Sequence, residues 1–184
     1  MKPTDILRHE HELIMMVLDA AEREARAIAN GGAADADRLA GFVDFIRNFA
    51  DHCHHAKEED VLFVRMGERG FPREVGPVAV MLHEHELGRA HVAAVADNIA
   101  AAAAGDAAAR AVVAERLAGY ASLLRQHIFK EDRVLYPMAE RTLPASAFAQ
   151  MHDDFARFEA EATGPLGHAR FEALVRELVS TFGQ

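Results

Sequence analysis

Apolar residues recur along this chain at the three- and four-residue spacing of amphipathic helices, and glycine and proline interrupt the pattern at few places. The first helical stretch begins near Thr4 and Asp5, where a hydroxyl or a carboxylate can cap the first turn, and ends by Asn30. Three more long stretches cover about 35–65, 78–104 and 106–140, and two shorter ones cover 144–162 and 167–182. The pattern predicts an all-α protein.

The connections between the four long stretches are short, so consecutive helices should be antiparallel neighbours. We therefore expect an up-down-up-down four-helix bundle over residues 1–142. Residues 143–184 should form a C-terminal helical extension that packs on the bundle and caps it, in preference to forming a dimer contact.

Two phrases of the sequence occur twice. HEHEL stands at His9–Leu13 and returns 74 residues later at His83–Leu87. HHAKEEDVLF (His54–Phe63) returns 73 residues later as HIFKEDRVLY (His127–Tyr136). The repeat indicates one duplicated helical hairpin, and two copies favour a closed pseudo-symmetric bundle over a solenoid, which needs three or more units.

One histidine of each HEHEL phrase is predicted to face the core. Residues of an α-helix are about 100° apart around its axis, so positions i and i+2 point in nearly opposite directions. His11 shares an apolar row with Leu7 and Ile14, and His85 shares one with Met81. Each is thus a polar residue set into an apolar stripe.

In the second phrase, a histidine and a glutamate are predicted to point inward together. His54 and Glu58 are four residues apart, as are His127 and Glu131, which places each pair about 40° apart around its helix. The other histidines of the phrases are predicted to lie outside the core cluster, near enough to support a ligand or to replace one: His9, His55, His83. Tyr120 and Tyr136 are predicted mainly as packing residues, although either hydroxyl could hydrogen-bond a metal-bound ligand.

Six inward imidazoles and carboxylates in one bundle need a compensating charge, because isolated buried ionisable groups are costly. A cation or two would supply it, so the sequence predicts a metal site. Imidazole with carboxylate suits iron, zinc or manganese, and the absence of cysteine ligands argues against a structural thiolate zinc site. The Glu-x-x-His motif of ferritin-like proteins is absent from the chain.

The composition of the chain argues against several classes of function. The formal net charge of −9 and the lack of a basic stripe argue against nucleic acid as a partner. No apolar run approaches the ~20 residues of a membrane span, so no membrane role is expected. The start lacks the apolar segment of a signal peptide, and the single cysteine, Cys53, suits a reducing compartment, so a cytoplasmic location is predicted.

In their order and spacing, the four phrases resemble those of the hemerythrin-like HHE cation-binding domains over about residues 1–140. The resemblance implies a non-haem centre of two iron ions with an oxo or hydroxo bridge, for which zinc or manganese could substitute. It also implies the following metal ligands: His11, His54, Glu58, His85, His127, Glu131.

Two departures from the oxygen-carrying hemerythrins bear on function. Those proteins have a further histidine one turn after the third-helix ligand, where this chain has Arg89. Their last helix uses an H-x-x-x-x-D pair, a spacing that Asp132 would satisfy from His127. Asp132 lies about 140° from His127 on a regular helix, against about 40° for Glu131, so Glu131 is favoured unless a bulge intervenes.

The resemblance therefore implies a protein whose irons bind dioxygen, nitric oxide or peroxide in a stress-response or sensing role. Three alternatives stay open at the level of sequence. They are an enzyme that turns over nitric oxide or peroxide, an iron donor for the repair of iron-sulfur centres, and a metal-free helical interaction module. No protein partner can be named from the residues.

Overall fold

The computed structural model describes residues 1–163 and 167–180, and the regular secondary structure over them is all helical, without a strand. Four helices form the bundle: α1 (Pro3–Ala29), α2, α3 (Gly76–Ala103) and α4. α2 runs from Ala36–Phe45 through two π-helical segments, Ile46–His55 and Glu58–Leu62, to Phe63–Gly67. α4 runs from Ala107–Lys130 through one π-helical segment, Glu131–Leu135, to Tyr136–Thr142. The all-α bundle predicted from the sequence is confirmed.

Local chemistry explains where these helices begin and turn. Asp35 caps α2 by accepting a hydrogen bond from the Arg38 backbone N–H, and Asp106 caps α4 in the same way from Ala109. Gly105, between α3 and α4, has a φ of 97°, a conformation that glycine adopts without steric cost. The tight turn makes α3 and α4 antiparallel neighbours, and α4 also packs along α1.

The bundle core consists of two apolar clusters with a polar layer between them. Along α1, Leu7 belongs to one cluster and Ile14 to the other, with buried His11 between them. Along α4, Leu124 and Leu135 belong to different clusters in the same way. The polar side chains are therefore shut off from solvent by an apolar layer on each side.

Two further helices, α5 (Ala145–Thr163) and α6 (Gly167–Ser180), pack on the bundle. On α5, Phe155 is buried in the cluster that contains Leu7. On α6, Phe171 packs against Phe49 with ring centroids 5.3 Å apart. Residues 164–166 and 181–184 of the predicted extension lie outside the described residues, and the division of the chain at residue 142 stays a prediction.

Among residues 1–163 and 167–180, none of the helices combines the length and the apolarity needed to cross a lipid bilayer.

Candidate metal centre

Each helix of the bundle contributes a buried histidine to the polar layer, and four of these imidazoles form two pairs. Nε2 of His11 lies 3.0 Å from Nε2 of His54, and Nε2 of His85 lies 3.0 Å from Nε2 of His127. All four residues are at most 2 % exposed. The pairing joins α1 to α2 and α3 to α4, as expected for a duplicated hairpin.

A carboxylate lies behind each of these imidazoles and accepts a hydrogen bond from its Nδ1–H. The four Nδ1-to-oxygen distances are 3.0, 2.9, 2.7 and 2.8 Å, in the pairs His11–Asp132, His54–Glu10, His85–Glu59 and His127–Glu84. An acceptor at Nδ1 fixes the tautomer and leaves the Nε2 lone pair for the centre of the bundle, an arrangement typical of metal-binding histidines. Within each pair, two lone pairs then face each other and repel unless a cation or a proton lies between them.

Two fully buried glutamates lie between the histidine pairs. Glu131 spans them, with Oε1 3.0 Å from His127 Nε2 and Oε2 3.2 Å from His11 Nε2. Glu58 places Oε2 3.5 Å from His85 Nε2 and 3.8 Å from His54 Nε2. The carboxylate group of each glutamate therefore reaches both halves of the site, as a bridging ligand requires.

The oxygens of these two glutamates show whether a metal ion fits the site. Glu58 Oε2 and both oxygens of Glu131 are buried without a hydrogen-bond partner among the described residues. A buried carboxylate oxygen left without a partner is strongly unfavourable. Cations would satisfy the three oxygens and the four Nε2 lone pairs together, so the donor set fits a pair of metal ions.

The donor atoms form two groups, and within each group all atoms lie within 4.8 Å of one another. One group is His11, His54 and Glu131, and the other is His55, Glu58, His85 and His127. The structure thus brings all six residues predicted from the sequence into one centre. Their assignment as ligands stays a prediction.

Proton affinities in the metal-free site follow from the same contacts. Burial lowers the pKa of His11, but the carboxylates of Asp132 and Glu131 outweigh burial and raise it to about 9. The pKa of His127 rises to about 10, since Glu131 and Glu84 again outweigh burial. Protons thus occupy the centre at neutral pH when metal is absent, and metal must displace them.

The outward orientation predicted for His55 is wrong. The His55 side chain is buried, stacks on His85 with ring centroids 3.8 Å apart, and belongs to the second donor group. The prediction assumed about 100° per residue, but His55 lies in a π-helical segment, whose i→i+5 hydrogen bonds widen the turn. Neighbouring His54 and His55 therefore both face inward.

Tyr136, predicted mainly as a packing residue, makes polar contacts inside the centre. Its hydroxyl donates to Glu58 Oε1 at 2.7 Å and lies 3.3 Å from His11 Nε2. Asp132 is hydrogen-bonded to the far side of the His11 ring and is about one-third exposed, whereas Glu131 lies fully buried in the centre. The geometry favours Glu131 over Asp132 as the fourth-helix ligand.

Sequence reasoning missed the charged pairs that support the imidazoles. Lys57 is fully buried and pairs with Glu10, which holds His54, and Lys130 pairs with Glu84 in the equivalent place. The signal was present, because each lysine follows its histidine by three residues in both copies of the repeat. Its meaning was hidden because each partner glutamate lies on a different helix.

The family described as "Hemerythrin HHE cation binding domain" matches residues 2–139. Uncharacterized proteins of Mycobacterium bovis and Mycobacterium tuberculosis are 27% identical to the chain over 173 residues. The match covers 94% of this chain and 66% of each relative, so the chain spans about two thirds of the length of these relatives. No solved structure shows a significant match.

Proposed function

The chain belongs to the hemerythrin HHE cation-binding family, and we propose that it holds two iron ions and binds a small molecule at them. The small molecule would be dioxygen, nitric oxide or peroxide, and the role a stress response or sensing in the cytoplasm. The observation that carries the proposal is the set of three unpartnered carboxylate oxygens, on Glu58 and Glu131, between two pairs of Nε2 lone pairs.

The protein residues would divide the work at such a centre. The imidazoles would bind one ion per pair, and Glu58 and Glu131 would bridge the pairs and fix their separation. Four imidazoles and two bridging carboxylates leave coordination positions open for an exogenous molecule. When bound, iron would supply a redox-active centre to which such a molecule can bind.

The supporting contacts favour a resident metal over a donated one. Each imidazole is held by a carboxylate, and two of these carboxylates are held in turn by Lys57 and Lys130. Supports of this kind typically strengthen metal affinity 10–100-fold. A protein that gives up iron for repair would gain little from ligands fixed so firmly.

The test is the metal content of untagged protein after anaerobic iron loading, followed by its absorption spectrum in air and with nitric oxide. About two irons per chain and new charge-transfer bands on exposure to one of the gases or to peroxide would support the proposal. Consumption of peroxide or nitric oxide over many turnovers would identify an enzyme. One zinc, or no metal after loading, would contradict the proposal.

A further inference from the structure

The carboxylates that support the candidate metal ligands are not held alike in the two copies of the repeat. His11 and His85 occupy equivalent positions, and so do the carboxylates behind their Nδ1 atoms, Asp132 and Glu59. Glu59 is also bound by Arg89, whereas Asp132 forms no ion pair with a lysine or an arginine among the described residues. One support is therefore itself held in place, and its equivalent is not held in this way.

Arg89 binds three carboxylates at once from its position on α3. Its Nη2 lies 2.7 Å from Glu59 Oε1 and 2.8 Å from Asp51 Oδ1, and its Nε lies 3.0 and 3.1 Å from the two Asp51 oxygens. Its Nη1 donates to Glu86 on the same helix at 2.7 Å. A guanidinium donates in one plane and at fixed angles, so these contacts together fix its orientation. Glu59 is thus held by a group that is itself held on several sides.

One oxygen of Glu59 connects Arg89 to a candidate metal ligand. Oε1 accepts a hydrogen bond from Arg89 Nη2 at 2.7 Å and another from His85 Nδ1, also at 2.7 Å. The His85 side chain is fully buried, whereas that of Arg89 is 34% exposed. The acceptor at the second nitrogen of a histidine ligand sets the orientation of its ring. The direction of His85 Nε2 therefore depends on where Arg89 holds Glu59.

The other copy of the repeat lacks both residues of the ion pair between α2 and α3. Arg89 corresponds to Met15, which stands 74 residues earlier, and Asp51 corresponds to Leu124, which stands 73 residues later. Met15 and Leu124 are apolar and belong to the core cluster or pack against it. The ion pair is thus a feature of one copy alone, although the histidines and the carboxylates behind them are present in both.

We propose that Arg89 is a positioning residue for metal binding, because it holds Glu59 and Glu59 in turn holds His85 towards the ion. This inference rests on the proposed function, since it requires that the centre bind metal. It assigns to Arg89 an effect on one ion of the pair, the ion bound by His85.

Two effects of Arg89 on a bound cation have opposite signs. The positive charge of the guanidinium repels a cation, whereas the orientation of Glu59 and His85 favours one. Three carboxylates surround the guanidinium and solvent reaches it, so its repulsion is largely offset and screened. Orientation should therefore dominate, and removal of Arg89 should weaken metal binding rather than strengthen it.

The experiment measures the affinity of the full chain for cobalt(II) by competition with a chelator, followed through the visible absorption of the bound ion. Arg89→Met introduces the residue of the other copy and should weaken the binding of one ion about tenfold. Arg89→Lys keeps the charge without the planar guanidinium, so it should recover only part of this loss. In a Glu59→Ala background, Arg89→Met should weaken binding less than about twofold further, because the connection to His85 is already broken.

Arg125→Met is the matched control. Arg125 is 30% exposed and also pairs with two carboxylates of a neighbouring helix, Asp19 and Glu22, but neither of them holds a candidate metal ligand. This variant should lose stability in urea to a similar extent as Arg89→Met and should keep its cobalt affinity within about twofold. A purely structural role of Arg89 would not separate the two variants in this way.

Unchanged or tighter cobalt binding by Arg89→Met would overturn the inference, as would an equal loss in Arg125→Met or full recovery in Arg89→Lys. The same loss in the presence and in the absence of the Glu59 side chain would show that Arg89 acts by another route, which also overturns it. If Arg89→Met does not fold, Arg89→Lys must bind cobalt more weakly than wild type for the inference to stand. If wild type binds neither cobalt nor iron, the proposed function itself fails.

Discussion

Replacement of Glu131 by glutamine tests most directly whether Glu131 bridges two metal ions. The change keeps the shape of the side chain but removes the negative charge that faces His11 at 3.2 Å and His127 at 3.0 Å. Supporting residues behind metal ligands typically account for 10–100-fold in affinity, and a bridging ligand should account for at least the upper value. We expect at least one ion to bind about 100-fold more weakly, which corresponds to about 2.7 kcal/mol.

The same substitution has a second effect on the metal-free protein. Glu131 holds the pKa of His11 and His127 above the ordinary value, so its loss leaves two buried imidazoles without their central partner. Breaking a buried ion pair costs about 3–5 kcal/mol when the remaining charge is trapped. Here the imidazoles can lose their protons, so we expect the free energy of unfolding to fall by less than about 3 kcal/mol.

The assay is metal content after dialysis against graded concentrations of a chelator, paired with chemical unfolding of the metal-free protein. His9→Gln is the matched control, because His9 belongs to the same repeated phrase but its side chain is 74% exposed. Retention of both ions by Glu131→Gln at every chelator concentration would refute the reasoning. An equal loss from His9→Gln would refute the assignment of inward and outward histidines.

Three further predictions concern residues around the centre. Glu84→Gln removes the acceptor 2.8 Å behind His127 Nδ1 and should weaken metal binding 10–100-fold in the same chelator assay, whereas unchanged affinity would deny Glu84 a supporting role. Partial burial raises the pKa of the Glu140 carboxyl, but hydrogen bonds, the first of them from Lys2, outweigh burial and lower this pKa to about 2. The ionised carboxylate therefore stabilises the fold fully above pH 4.5, and this stabilisation is lost as the pH falls towards 2. Glu140→Gln should therefore lower the free energy of unfolding by about 1 kcal/mol at pH 7, as measured by urea unfolding, and have a much smaller effect at pH 2. An equal effect at both pH values would contradict this. Phe155→Ala should destabilise the fold by about 3 kcal/mol in urea, because the buried ring packs in the core and lies 5.7 Å from Lys57 Nζ; a loss below 1 kcal/mol would mean that α5 is dispensable.

The helical periodicity was sufficient to predict the bundle and the position of the inward groups. His11 could be placed because Leu7 and Ile14 flank it in one apolar row, and all three are buried. Where the backbone is a regular α-helix, sequence spacing translates directly into direction around the axis. The prediction was therefore reliable on α1 and α3.

The prediction was wrong at His55 because the backbone is not a regular α-helix there. The three π-helical segments of the described chain contain His54, His55, Glu58 and Glu131, all of them buried. Nothing in side-chain propensity distinguishes a π-helical turn from an α-helical one, whereas π-helical turns are frequent at functional sites. Where a sequence places several candidate ligands on consecutive turns, their directions should thus be predicted with both the α-helical and the π-helical period.

Buried Lys57 escaped prediction for a different reason. A lysine is rarely buried without a partner, and its partner Glu10 is 47 residues away on another helix, so no local pattern connects them. Tertiary packing alone brings the two together. The repeat offered an indirect clue, since Lys130 stands in the equivalent position with Glu84 as its partner.

These two ion pairs also show how one duplicated hairpin produces two different halves. Lys57 and Glu10 are at most 1% exposed, whereas Lys130 is 36% and Glu84 14% exposed. The difference follows from the C-terminal extension, because Phe155 of α5 lies over Lys57. An ion pair shielded from water is screened less than an exposed one, so Glu10 is held more firmly behind His54 than Glu84 is behind its own histidine. The Glu10–Lys57 support is thereby sealed from solvent, whereas the Glu84–Lys130 support stays within reach of it.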